Sequence, residues 1–227
     1  MGDSDKKVKE AEKNTRQLTE KEKQRMTVFA ATEEGLKQQG YVRKDLTISI
    51  AKANFVGILL VLPILAVLCI IFFAVNGLTP IKDLIESHDV LAGIGIVLAG
   101  ISIAPLAIVH EWIHGLSWGI GAKNHMKDIE YGFIKEMLTP YCYCRSPLSK
   151  GMYLFGSMMP MTLLGIVVCI FGIVFASPCL MIVGLLQVVG GSGDILVSSM
   201  LLRYNTKGKD IVLMDHPSEC GLVVFEK

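Results

Sequence analysis

The chain has little charge and no surplus of one sign. Charged residues make up 19% of its 227 residues, and 22 Lys and Arg against 21 Asp and Glu leave a net charge of +1. A nucleic-acid partner needs a concentrated basic face, so this balance excludes that class. Cysteine outside apolar runs is scarce. Cys69, Cys169 and Cys179 lie in such runs as small hydrophobes, and the remaining Cys142, Cys144 and Cys220 give no disulfide framework. Between Met1 and Asp45 there is no apolar stretch of the kind a signal peptide requires, and Lys6 stands where a myristoylation site needs Ser or Thr.

What is abundant is apolar surface. Hydrophobic residues reach 52% and mean hydropathy is +0.50, which is a membrane protein's composition. Four stretches are long enough to cross a hydrocarbon core, which takes about 20 residues. They run from about Ala53 to Val75, from near Val90 through a motif at His110, from Met152 to Ala176, and from Cys179 to Leu202, with Ser177-Pro178 turning the third into the fourth. The expected fold is an all-α polytopic membrane protein of about four transmembrane helices. To these are added a short β-hairpin or re-entrant loop on the cytoplasmic side and a small β-like C-terminal tail. The expected division is a charged N-terminal arm (1–49), a membrane core (50–203) and a tail (204–227). Cations crowd the loop after the second span (Lys123, Lys127, Lys135, Arg145, Lys150) and the tail (Arg203, Lys207, Lys209), against Lys82 alone between the first two. Both termini are therefore expected in the cytoplasm, with His88 outside.

The second span carries His110-Glu111-Trp112-Ile113-His114. Two histidines four apart on a helix share one face and can reach one Zn²⁺, and the Glu between them is placed as a base for water. Ionisable groups in so apolar a segment cost several kcal/mol unless paired or metal-bound. Zinc enzymes of this kind use three protein ligands, and Asp194, the acidic residue of the fourth span, is the candidate for the third. It lies in Gly190-Gly191-Ser192-Gly193-Asp194, at the same expected depth as the histidines, though such an Asp could instead pair with Arg203. His125, Asp128, Glu130, His216 and His88 are weaker rivals, in solvated loops or on the far side. Ile129–Ile134 and Thr139–Cys144 favour strands and could hold an extended peptide along an edge, or could form an interfacial aromatic belt. Ile211–Met214 and Leu222–Phe225 are expected as two short strands. The stretch from Lys6 to Met26 is expected as a solvated arm.

The segments His110–Gly115, Tyr143–Ser149, Gly193-Asp194-Ile195 and Asp215-His216-Pro217 with Gly221 resemble a family of uncharacterised bacterial membrane proteins grouped as zincin peptidases. That family is in turn similar to the site-2-protease group of intramembrane metalloproteases. The resemblance runs from about Gly40 to the C-terminus and implies a zinc peptidase core, with HExxH on one transmembrane helix and an Asp from a later one. The chain lacks the Asn-Pro that usually accompanies the third ligand in site-2 proteases. The resulting expectation is an integral membrane zinc metalloprotease of a bacterial plasma membrane. His110, His114 and Asp194 would hold zinc, Glu111 would act as general base, and the partner would be a membrane-bound protein or peptide substrate. The alternatives are a metal-binding sensor or transporter and a silent scaffold. The sequence gives no sign of the inverted repeats or broken helices of a transporter.

Overall fold

A computed structural model of the chain describes residues 20–86, 90–134 and 139–227. His88 and Lys135 fall outside these, as does most of the expected arm. Helix α1 (Glu20–Gln38) leads into strand β1 (Val42–Thr47), then α2 (Ile50–Asn76) and the short α3 (Thr79–Glu86). Next come α4 (Val90–Ile101) and α5 (Ile103–Gly121), the hairpin β2 (Ile129–Ile134) and β3 (Thr139–Cys144), and α6 (Lys150–Val174). Helices α7 (Pro178–Gly190) and α8 (Ser192–Arg203) precede strands β4 (Ile211–Asp215) and β5 (Gly221–Glu226).

Two helices, α2 and α6, are each long and apolar enough to cross a membrane. The pairs α4–α5 and α7–α8 qualify only as bent units, broken by 45° and 47°. The expectation of unbroken second and fourth spans is corrected here. Pro105, in the first turn of α5, has no N–H to continue the ladder from α4, and Ser102 Oγ turns back to the Ala99 carbonyl at 2.7 Å. In the fourth span the Gly190–Gly193 stretch supplies the bend. Within α6, Met161–Val167 is π-helical and follows Pro160, whose missing N–H disrupts the regular spacing.

Small residues bring the spans close. A Cβ at Gly184 would lie 2.7 Å from the Cys169 amide and 2.8 Å from the Gly165 carbonyl, and one at Gly57 would lie 2.8 Å from the Ser192 carbonyl. In an apolar medium such close backbone packing takes the place of hydrophobic burial as the association force. Val61, Leu68, Phe72, Met161, Cys169, Met181 and Val188 fill the interior of the bundle.

The tail forms the expected two strands, and a third joins them. The sheet runs β1-β5-β4, antiparallel throughout, with Val42 opposite Glu226 and Ile211 opposite the same residue. Leu222, Val223, Val224 and Phe225 of β5 are all fully buried. Leu222 and Val224 face the bundle, against Trp118, Leu148, Tyr153 and Leu201, whereas Val223 and Phe225 face α1, against Phe29 and Leu36. Within the stretch expected as a solvated arm, Glu20, Lys23, Gln24 and Met26 are exposed and Arg25 is half-buried against the hairpin; the packing of α1 begins beyond it. Phe29 and Leu36, seven apart among charges, give α1 only a narrow apolar stripe, and β1 (VRKDLT) is an edge strand in which Arg43 pairs with Glu33 and Asp45.

The turn between α6 and α7 contains Ala176 at φ 49°, a left-handed conformation, while Ser177 N–H closes onto the Gly172 carbonyl at 2.8 Å. A Cβ is strained there by about 1 kcal/mol or more. Ala176→Gly is expected to raise the stability of the detergent-solubilised protein by about 1 kcal/mol, read from denaturant midpoints at constant slope.

Candidate metal centre

Helix α5 buries His110 and His114 on one face, at 8% and 4% exposure. The bend before α8 brings Asp194, in that helix's first turn, against both. His110 Nε2 lies 3.1 Å from Asp194 Oδ2, and His114 Nε2 lies 3.2 Å from Asp194 Oδ1. Asp194 pairs with the histidines rather than with Arg203. These are hydrogen-bond and ion-pair distances, and they are close to the edge of about 3.3 Å of a tetrahedron built on zinc–ligand bonds of about 2.0–2.1 Å. His110, Glu111 and His114 also have potential ligand atoms all within 4.8 Å of one another. The donor set is nitrogen and carboxylate oxygen, which suits zinc.

A ligating imidazole needs its second nitrogen held, and the sequence arranges this in an unexpected way. His114 Nδ1 lies 2.9 Å from the Gly156 carbonyl. In a regular helix that carbonyl would accept from the N–H of residue 160, but residue 160 is proline and has none. Pro160 thus leaves an oxygen in the helix wall open to His114, and Nδ1–H donation there points Nε2 at Asp194. Gly156 has a second role, because a Cβ there would collide with the Trp118 ring. Trp118 stacks on His114 with centroids 4.9 Å apart and planes 15° apart, and donates Nε1–H to the Tyr153 carbonyl at 3.1 Å. Ser157 Oγ donates to the Asp194 carbonyl at 3.4 Å and accepts from Ser198 Oγ at 3.1 Å. These contacts tie α6 to the turn that carries Asp194.

Glu111 lies between two cavities. One, of about 220 Å³, also touches His114, Asp194, Tyr141 and Asp215; the other, of about 270 Å³, is lined by Ile108, Trp112, Tyr131, Phe133 and Pro140. The hairpin forms a wall of both. Arg145 N–H bonds to the Asp128 carbonyl, so by antiparallel alternation the amides of Cys142 and Cys144 face away from β2. The carboxylates of Glu111 and Asp215 line the first cavity beside this edge, together with Tyr141 and Cys142. The edge expected to receive a peptide therefore faces the cavity that holds the histidine–aspartate cluster. Burial pushes the Cys144 thiol up to about 12, raises that of Cys142 further, and raises the Asp215 carboxyl above its ordinary value. Among the described residues the CxC pair belongs to no group of three His, Cys, Asp or Glu side chains close enough to share one metal ion.

On the opposite face of the hairpin, Arg25 of α1 stacks over Tyr141 and Tyr143, 4.6 Å from each ring centroid, and pairs with Glu130 at 3.0 Å. Arg145 holds the other Glu130 oxygen at 2.9 Å, and the pairing keeps that carboxyl below its usual range. The other rivals for the metal are engaged elsewhere. His125 Nδ1 meets the Gly119 carbonyl, Asp128 accepts from Asn124 and Ser146, and His216 accepts the Glu219 amide within its own turn. Of the residues that shape this site, the sequence reading passed over Gly156, Pro160, Trp118, Asp215 as a wall residue, and Arg25. The spacing Gly156-x-x-x-Pro160 was a usable signal for the first two.

Pro160→Ala restores a donor for the Gly156 carbonyl and removes a helix breaker. We expect a gain in stability of the metal-free protein but zinc affinity about 10-fold or more lower, the usual cost of losing a ligand's outer partner. Thermal melting and competitive zinc titration of the same preparation read the two opposite signs.

Residues 103–208 match the model of a protein family described as "Putative zincin peptidase". No curated protein and no solved structure matches the chain. The matched stretch begins at α5 and runs past α8, so it contains His110, Glu111, His114 and Asp194 and stops before Asp215. This part of the chain is similar to a family of zinc peptidases, and the family implies zinc for a buried His-Glu-His group able to hold a metal.

Proposed function

We propose that the protein is an integral membrane zinc metalloprotease of the site-2-protease kind, with His110, His114 and Asp194 as zinc ligands and Glu111 as general base. The observation that carries this reading is the carboxylate of Glu111 beside the His110–His114–Asp194 cluster, open to two cavities. A structural metal site has no use for a base in that position.

Bound zinc supplies Lewis acidity that lowers the pKa of water and polarises a carbonyl. Glu111 takes a proton from the attacking water at its carboxylate and delivers it to the departing amine nitrogen. Gly156 and Trp118 fix the His114 ring, so that little reorganisation is needed as charge develops. The groove lined by Ile108, Trp112, Tyr131 and Phe133 is apolar, and Ile108, Trp112 and Phe133 are each about half exposed. It suits an extended apolar segment of a membrane-bound substrate lying beside the hairpin.

The chain sits, on this reading, in a bacterial plasma membrane, with the hairpin, the three-stranded sheet and both termini cytoplasmic. Support comes from the exposed apolar faces of α2, α5 and α6 and from the cations Lys123, Lys127, Arg145, Lys207 and Lys209 at the hairpin and sheet end. A metal-binding transporter is the second reading, favoured by one observation: two of the four candidate spans are broken, and one of the breaks immediately precedes Asp194. Two experiments decide between the readings. Glu111→Gln should keep near-stoichiometric zinc while cleavage falls by about two to four orders of magnitude, and Asp194→Ala should lose both. A Glu111→Gln strain indistinguishable from wild type, beside a failing His114→Ala strain, would sink the protease reading. For topology, a cysteine placed at Asn124 in a cysteine-depleted protein should react with an impermeant thiol reagent only in inverted vesicles. Reaction in right-side-out vesicles would move the site to the outer face.

A further inference from the structure

We propose that Asp215 determines specificity at this site by receiving a cationic group of the substrate: a lysine or arginine side chain, or the ammonium of a peptide N-terminus. The inference rests on the protease reading, because it names the substrate class of that same site.

Asp215 ends β4 and lines the 220 Å³ cavity together with Glu111, His114 and Asp194. Its hydrogen-bond partner is a neutral donor, the Tyr153 hydroxyl at 2.7 Å. Among the described residues no Lys or Arg lies within ion-pair distance of it. Other carboxylates at this end of the molecule do have such partners: Glu130 has Arg25 and Arg145, Glu33 has Arg43 and Lys37, and Glu226 has Lys209. Arg25 is spent on Glu130 across the hairpin. A partly buried carboxylate without a counter-ion is costly, and such groups are normally matched by a cation.

The cavity supplies none of its own, for no Lys or Arg lines it. A divalent ion with two neutral imidazoles and Asp194 carries one net positive charge, which Glu111 cancels. Arg25 and His114 act on Asp215 only at longer range, so among the described residues it is a cavity carboxylate with no Lys or Arg in contact. Its position also places the cation, because Asp215 and Glu111 line the same cavity beside β3. A cation there belongs to a residue at or next to the scissile bond. The other cavity has no comparable charge beyond Glu111, so apolar residues fall on that side.

The test uses zinc-loaded, full-length Glu111→Gln protein in detergent micelles, which should bind peptides without cleaving them. Fluorescent hexapeptides of Ala and Leu are titrated by anisotropy in three sets. One is acetylated with Lys at each position in turn, one is acetylated with uncharged norleucine at the same positions, and one has a free N-terminal amine and no Lys. We expect a charged set to bind roughly 10- to 100-fold more tightly than its neutral match, the range of a charge-assisted hydrogen bond. Preference for acetylated Lys peptides assigns the cation to a side chain, and preference for the free amine assigns it to the N-terminus. Asp215→Asn in the same background should bring the ratio to about one at unchanged zinc content, and Asp215→Glu should retain it. Equal binding of charged and neutral peptides with Asp215 intact overturns the proposal, whether or not the variants fold; so does a preference that survives Asp215→Asn. Wild-type protein that binds Lys peptides through Asp215 but cleaves none would instead overturn the protease reading and leave the cation subsite standing.

Discussion

The Asp194 carboxylate, held between two imidazole Nε2 atoms, is the contact around which the bundle is arranged. Helices this apolar gain little from burying one another in a lipid-like medium, whereas an unpaired carboxylate or imidazole among them is expensive. Bringing Asp194 to His110 and His114 removes that penalty for all three groups at once. The bend before α8 belongs to the same solution, because Asp194 lies in the first turn after it. Gly57 then lets α2 close against Ser192, and the Ser157–Ser198 pair links α6 to α8. A change that moved the Gly190–Gly193 turn would therefore be felt in every span.

Around this polar centre the remaining structure supplies rigidity. Proline at 160 would ordinarily be a defect within a helix, yet here it leaves a carbonyl for His114 that no regular helix could offer. The stacked Trp118 fills the hollow left by Gly156 and covers the ring from one side. Each device removes freedom from a side chain whose position the chemistry needs, and each depends on a residue that a propensity scale would disfavour in that place.

The sheet at one end of the bundle has an unusual demand on it. Strand β5 is buried on both faces, between α1 and the ends of α5, α6 and α8, so a four-residue apolar run suffices where an exposed sheet would alternate. This sandwich brings Asp215 to the cavity wall, and it ties α1 to the site through Arg25 and the Tyr141–Tyr143 face of the hairpin.

The amino-acid sequence by itself determined what depends on local periodicity and composition. The four apolar stretches, the Ser177-Pro178 turn, the strands read at Ile211–Met214 and Leu222–Phe225, and the one-turn spacing of His110 and His114 all follow from neighbours a few residues apart. Asp194 was legible as a candidate because a lone carboxylate in an apolar span requires a partner, although its distance from the histidines was not. Other features were settled only by tertiary structure. The five residues from Gly156 to Pro160 read as an ordinary helix turn until His114 arrives from another helix to use the freed carbonyl. VRKDLT has too many charges to be read as a strand until β5 offers an edge, and Asp215 looks like a turn residue until the sheet folds beneath the cavity. In each case the deciding partner lies tens of residues away along the chain, and no local pattern records which distant group will complete a hydrogen bond.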